Sequence, residues 1–136
     1  MPRLYTVPEA DATLPLVRRI VEDAVAAYGR WRALVDEFEV VSARSRADLP
    51  DPRAAVLQRE AQGLAREIDG FVLELRTLDV ELKDVGLGLV DFPATIDGRP
   101  AWLCWRLGER AVRHWHERDA GMAGRRPIDA QGRHAA

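Results

Sequence analysis

The side chains with chemical uses gather in the second half of the chain. Glu81, Lys83, Asp84, Asp91, Cys104, Glu109, His114, His116, Glu117 and Asp119 all fall within residues 81–119. His114 and His116 are two apart, which puts both imidazoles on one side of an extended segment. Imidazole, carboxylate and thiolate together make a ligand set for Zn²⁺, or for iron if the sulfur is left out. The candidate ligands of a divalent metal are therefore His116, Glu117, Asp84, Asp91, Glu109, His114 and Cys104. Their spacing matches neither HExxH nor CxxC, and His116-Glu117 is only a dipeptide. The competing reading is structural. In it Asp84 and Asp91 pair with Arg106, Arg113 or Arg118, and His116 bonds a local backbone group.

Cys104 stands between Trp102 and Trp105 in an apolar run. There it reads as a small hydrophobe; a nucleophilic role would need His116 as its base and a lowered pKa. Trp31, Trp102, Trp105 and Trp115 read as core or interface anchors. Arg106, Arg125 and Arg126 are candidates for holding an anion, the last two within Gly121-Met-Ala-Gly-Arg-Arg126. That run is neither a P-loop nor a dinucleotide fingerprint. Charge is segregated: residues 79–98 hold five acids and one lysine, and residues 99–136 hold eight arginines and four acids. The whole chain has a net charge of -2, which argues against nucleic acid as a partner.

These residues need elements to place them. Thr6-Val7-Pro8-Glu9 fits a capping box that opens a helix, with Pro8 tolerated in the first turn. Leu14, Val17, Val21, Ala24, Tyr28, Trp31, Val35 and Phe38 then recur at alternating steps of three and four, the spacing of a coiled-coil seam. Pro15 is expected to kink the first turns or split them off, and Gly29 to mark close backbone approach. Ser42–Arg53 reads as a loop. Leu57, Ala61, Leu64, Ile68, Phe71, Leu75 and Leu78 repeat the seam in a second helix, so the two form an antiparallel hairpin.

After Leu78 the period changes. Gly86 and Gly88 mark a turn, and Asp97-Gly98 between apolar runs is the signal of a two-residue hairpin turn with positive φ at both positions. That turn pairs Ile96 with Arg99, Phe92 with Leu103 and Asp91 with Cys104. One face then carries Val90, Phe92, Ala94, Leu103 and Trp105, and the other Asp91, Trp102, Cys104 and Arg106. Pro93 implies an edge or a bulge. Gly108–Asp119 is ambiguous between a short helix and an extended segment, and Gly121–Arg126 reads as a loop.

The phrases VELKD, GLVDFP, LCWRLGE, WHE and GMAGRRP, with a Thr6–Ala10 opening of the form T-x-x-E-A, resemble an uncharacterised bacterial family known as domain of unknown function 2203. The resemblance covers nearly the whole chain. It implies a small cytoplasmic bacterial protein and implies no activity.

The 136 residues, 47% of them hydrophobic, can bury a real core. With one cysteine, no intrachain disulfide forms. The opening MPRLYTVPEAD lacks the apolar run of a signal peptide, and no stretch approaches the ~18–20 apolar residues of a membrane span; a cytoplasmic, membrane-free protein is the expectation. The expected fold is α+β: a helical hairpin over residues 6–78, an antiparallel β-meander over 79–106, a C-terminal segment over 107–128 and a disordered tail over 129–136. A helix of about 35 residues is roughly 50 Å long, too long for so small a sheet to cover. The leading functional expectation is therefore a dimeric assembly or interaction protein whose hairpin meets a second copy. A metal-binding protein or small metalloenzyme using His116 with nearby carboxylates is the alternative, and an anion or nucleic-acid binder through the C-terminal arginines is a second. Whether the chain is an enzyme at all is left open by the sequence.

Overall fold

A computed structural model describes residues 3–128, so the tail expected to be disordered lies outside the described residues. Helix α1 runs Val7–Arg44 and helix α2 Pro52–Thr77. They are followed by strands β1 (Glu81–Asp84), β2 (Leu89–Ile96), β3 (Arg99–Arg106), β4 (His114–Glu117) and β5 (Arg126–Pro127), with a 3-10 turn at Met122–Gly124. The five strands form one sheet in the order β1-β2-β3-β4-β5, every neighbouring pair antiparallel. The arrangement is α+β.

Local chemistry sets the ends of the elements. Thr6 Oγ1 accepts from Glu9 N at 3.2 Å and Glu9 Oε1 accepts from Thr6 N at 3.1 Å, closing the capping box. Asp51 caps α2 by accepting from Arg53 N. Pro15 does not split α1, which runs through it unbroken. It lies on the exposed face, and the helix is held on its other side by buried Leu14 and Val17. The loop is shorter than the sequence suggests. Ser42–Arg44 belong to α1, and Pro52 and Arg53 open α2, because proline is well placed in a first turn. Gly29 has open space around it rather than a close neighbour. Gly88 is the glycine that the packing requires. Its φ is +65°, and a Cβ there would lie 2.7 Å from Leu107 Cβ and 3.0 Å from Val21 Cγ1.

The β2–β3 hairpin has the expected register, from Ile96 opposite Arg99 to Leu89 opposite Arg106. Asp97 and Gly98 have φ of 51° and 76°, as the two-residue turn demands. The meander continues past Arg106. The ambiguous stretch 108–119 supplies β4, and Arg126–Pro127 pair with it as β5. Pro93 accepts a bond from Tyr5 N at 2.8 Å, so the opening segment lies along the edge of β2 that β1 leaves uncovered. A proline has no donor to lose at that position.

One sheet face packs on the helices. Val90, Phe92, Ala94, Leu103, Trp105 and Trp115 join Leu14, Val17, Val21 and Leu75 in a single buried core. Tyr5 meets Phe92 edge-on at 5.1 Å and donates its hydroxyl to Leu78 O. The seam of α1 divides into two halves. Leu14, Val17, Val21 and Ala24 are fully buried, whereas Tyr28, Trp31, Val35 and Phe38 are only half-buried between the helices.

Candidate functional site

The second face of the sheet carries the polar residues. Along a strand, alternate side chains share a face. Asp91 is opposite Cys104 on β2 and β3, and Trp102 is opposite His116 on β3 and β4. All four therefore stand on the face turned away from the helices. Asp91, Cys104 and His116 are 1%, 0% and 3% exposed. One donor atom of each lies within 4.8 Å of the other two.

His116 Nδ1 lies 2.7 Å from Glu117 O, and a carbonyl only accepts, so Nδ1 is a donor. His116 Nε2 lies 2.9 Å from Asp91 Oδ2. A proton must then sit in the Nε2–Oδ2 bond, shared by a buried acid–base pair. Burial pushes the Asp91 carboxyl above its usual range, against the pull of His116. Asp91 Oδ1 is buried and makes no hydrogen bond of ordinary geometry, although the Cys104 thiol lies beside the carboxylate.

Burial pushes the Cys104 thiol up to about 12, and the Asp91 charge adds to the effect. This corrects the nucleophile reading. His116 engages Asp91 rather than the sulfur, so no base is placed to take the thiol's proton.

The remaining candidate ligands do not join this cluster, although His114 and Glu109 meet each other. Glu117 points to the other face and meets Arg99 at 3.9 Å. Asp84 is exposed and caps the β1–β2 turn by accepting from Leu87 N. Glu109 binds Arg125 at 2.6 Å and the backbone N–H of Arg106 at 2.7 Å. His114 Nδ1 lies 3.2 Å from Glu109 Oε2, an ion-pair distance without hydrogen-bond geometry. The arginine pairings expected for the aspartates are also corrected. Asp91 pairs with His116, and Arg113 with Asp11 of α1 at 2.9 Å. The local backbone bond expected of His116 is present.

The anion candidates are dispersed too. Arg125 donates to Glu109 and to Cys104 O, Arg126 stacks over Trp115, and Arg106 is exposed on β3. Sequence reasoning put Trp102 on this face but missed the cations that meet its ring. Trp102 is held between Lys83 Nζ at 5.0 Å and Arg118 Cζ at 4.2 Å. The register of the Asp97-Gly98 turn was the available signal, since it put Trp102 beside Cys104. Sequence reasoning also missed Asp11, which accepts from Val112 N and ties α1 to the approach to β4.

One protein-family model, described as an uncharacterized conserved protein (DUF2203), matches residues 3–128. No curated protein and no solved structure matches the chain.

Proposed function

Since the chain belongs to the DUF2203 family, whose description names no activity, we propose from geometry that it is an assembly protein whose helical hairpin pairs with a second copy. The observation that carries this reading is the bare outer half of the hairpin. A 38-residue helix is about 57 Å long, and the sheet packs against its first half. Beyond Tyr28 the seam is closed by α2 alone, and a groove remains on each flank.

The larger groove, about 600 Å³, is lined by Ala33, Leu34, Gly63 and Leu64, with Arg30, Glu37, Glu60 and Glu67 along its rims. Ala33 and Gly63 are small enough to let another helix approach to the 8–10 Å of ordinary helix packing, with Leu34 and Leu64 as apolar contacts. Three of the four rim charges are glutamates, and Arg30 already faces Glu67 at 3.6 Å, so a two-fold related copy would meet the groove through its apolar floor. A second copy also covers apolar side chains that are otherwise wet, which is the main driving force for such an association.

Light scattering at micromolar concentration tests the reading, with twice the chain mass expected. Ala33→Arg and Gly63→Arg should give monomers with unchanged circular dichroism, and Gln62→Arg, on the opposite groove lined by Trp31, Val35 and Gln62, should leave the dimer intact. A stable monomer of the unaltered chain overturns the proposal. The setting we propose is the bacterial cytoplasm, on the strength of the lone unpaired cysteine and the family resemblance. Among the described residues no helix is long and apolar enough to cross a membrane.

A further inference from the structure

The buried centre on the outer sheet face has a feature that packing does not explain. A small domain gains little by burying a carboxyl, an imidazole and a thiol together. Apolar side chains of similar volume serve stability as well or better. The three groups nevertheless converge from three strands, with their donor atoms within 4.8 Å of one another. One of the donors has only a weak partner. Asp91 is 1% exposed, and its Oδ1 is buried with only the Cys104 thiol beside it, outside ordinary hydrogen-bond geometry. A carboxylate oxygen left to so weak a donor in so dry a place favours a stronger partner.

We propose that Asp91, Cys104 and His116 form a binding site for a zinc-class divalent cation. The donor set of one sulfur, one nitrogen and one oxygen suits a borderline-soft ion and disfavours magnesium or calcium, which prefer all-oxygen sites. The imidazole is already aimed. The Nδ1 donor bond to Glu117 O fixes the ring with Nε2 turned into the centre. Metal-binding histidines are held in the same way, by a bond from the other ring nitrogen.

Charge balance points the same way. Without a cation the centre holds one proton in the Nε2–Oδ2 bond and one on the thiol. A divalent ion displaces both, leaving carboxylate, thiolate and neutral imidazole around it. Two protons leave, two positive charges arrive, and the buried centre keeps the same net charge. No bond other than those to the protons is broken, and nothing is oxidised or reduced. Binding releases both protons, so occupancy rises with pH. Trp102, clamped by Lys83 and Arg118, covers this face, so the ion enters most readily while the sheet is still forming.

The test is to refold untagged full-length protein with Zn²⁺, desalt it and measure the retained metal by plasma mass spectrometry. The expected result is stoichiometric zinc with two protons released per ion in weakly buffered solution. Co²⁺ in place of Zn²⁺ should show a thiolate-to-metal charge-transfer band. Cys104→Ala and Asp91→Asn should lose the retained metal, and His114→Ala should keep it. Zinc-free wild-type protein after this treatment overturns the proposal. So does zinc that persists in Cys104→Ala, or bound cobalt without the sulfur band, either of which marks an adventitious surface site. If Cys104→Ala fails to fold by circular dichroism, the proton count and the cobalt spectrum of the wild type decide.

Discussion

The two faces of the sheet are buried by different means. The face on the helices is filled with Val90, Phe92, Leu103, Trp105 and Trp115, and removal of apolar surface from water holds it. The outer face is equally dry at its centre, yet its core is an aspartate, a histidine and a cysteine under a tryptophan clamped by two cations. One strand register serves both. The difference teaches that burial on one face of this sheet reports stability, while burial on the other reports polar groups held in a fixed geometry.

The largest break in that comparison comes from the apolar face. Phe92→Ala removes a fully buried ring and should cost about 3–5 kcal/mol by urea denaturation. Cys104→Ala, opposite Phe92's neighbour Asp91, should cost far less, because the site has little volume to lose. Equal costs would show that the two faces are held alike.

A sharper test separates the polar pair from its pieces. His116→Leu alone leaves the Asp91 carboxyl buried without its partner and should destabilise by about 3 kcal/mol. The double variant Asp91→Leu/His116→Leu should recover most of that loss. A double variant no more stable than the single one would make the pair a net source of stability, and the contrast between the faces would fail.

A smaller effect is expected at Tyr5, on the apolar side. Burial raises the Tyr5 phenol above its usual 10.0. Its folded pKa therefore exceeds the unfolded one, so its contribution is present below pH 10.0 and is lost as pH rises through the folded value. Tyr5→Phe should lose about 1 kcal/mol at neutral pH, with the bond to Leu78 O, and should flatten the alkaline decline. Denaturation midpoints across the alkaline range would show a parallel decline in both proteins if Tyr5 were not its source.

The smallest effect is expected on the outer clamp. Arg118 is exposed, and Arg118→Ala should cost about 0.5–1 kcal/mol through the lost contact with Trp102. Its visible consequence should be faster quenching of Trp102 fluorescence by iodide. Unchanged quenching would mean that Lys83 and the strand register hold the ring without it.

Local rules made much of the fold legible. Alternating steps of three and four residues specify a helix stripe, because side chains that far apart share a face. Asp97-Gly98 specified both a turn and its register, since few dipeptides accept positive φ twice in succession. From that register the composition of each face of β2 and β3 followed, including Asp91 beside Cys104. The loop bounds were less legible, because prolines read as breakers are also good first-turn residues, as Pro52 shows.

The candidate site was half legible for the same reason. Asp91 and Cys104 belong to one hairpin, and a turn residue reports their meeting. His116 comes from β4, which no turn dipeptide joins to β3, and residues 107–113 carry no periodicity that selects strand over helix. Only the assembled sheet, with Asp11 of α1 holding the backbone at Val112, decides that β4 pairs with β3 and brings His116 onto Asp91, 25 positions away. Glu117 is the complement of that result. Adjacent to His116 in the chain and chemically as able, it lies on the opposite face, because successive residues of a strand point opposite ways. Sequence alone determined the residue types, the helix stripes and the first hairpin, since these follow from neighbours along the chain. Tertiary structure decided which acid meets the histidine and which half of the hairpin stays uncovered, since both depend on where separate elements come to rest.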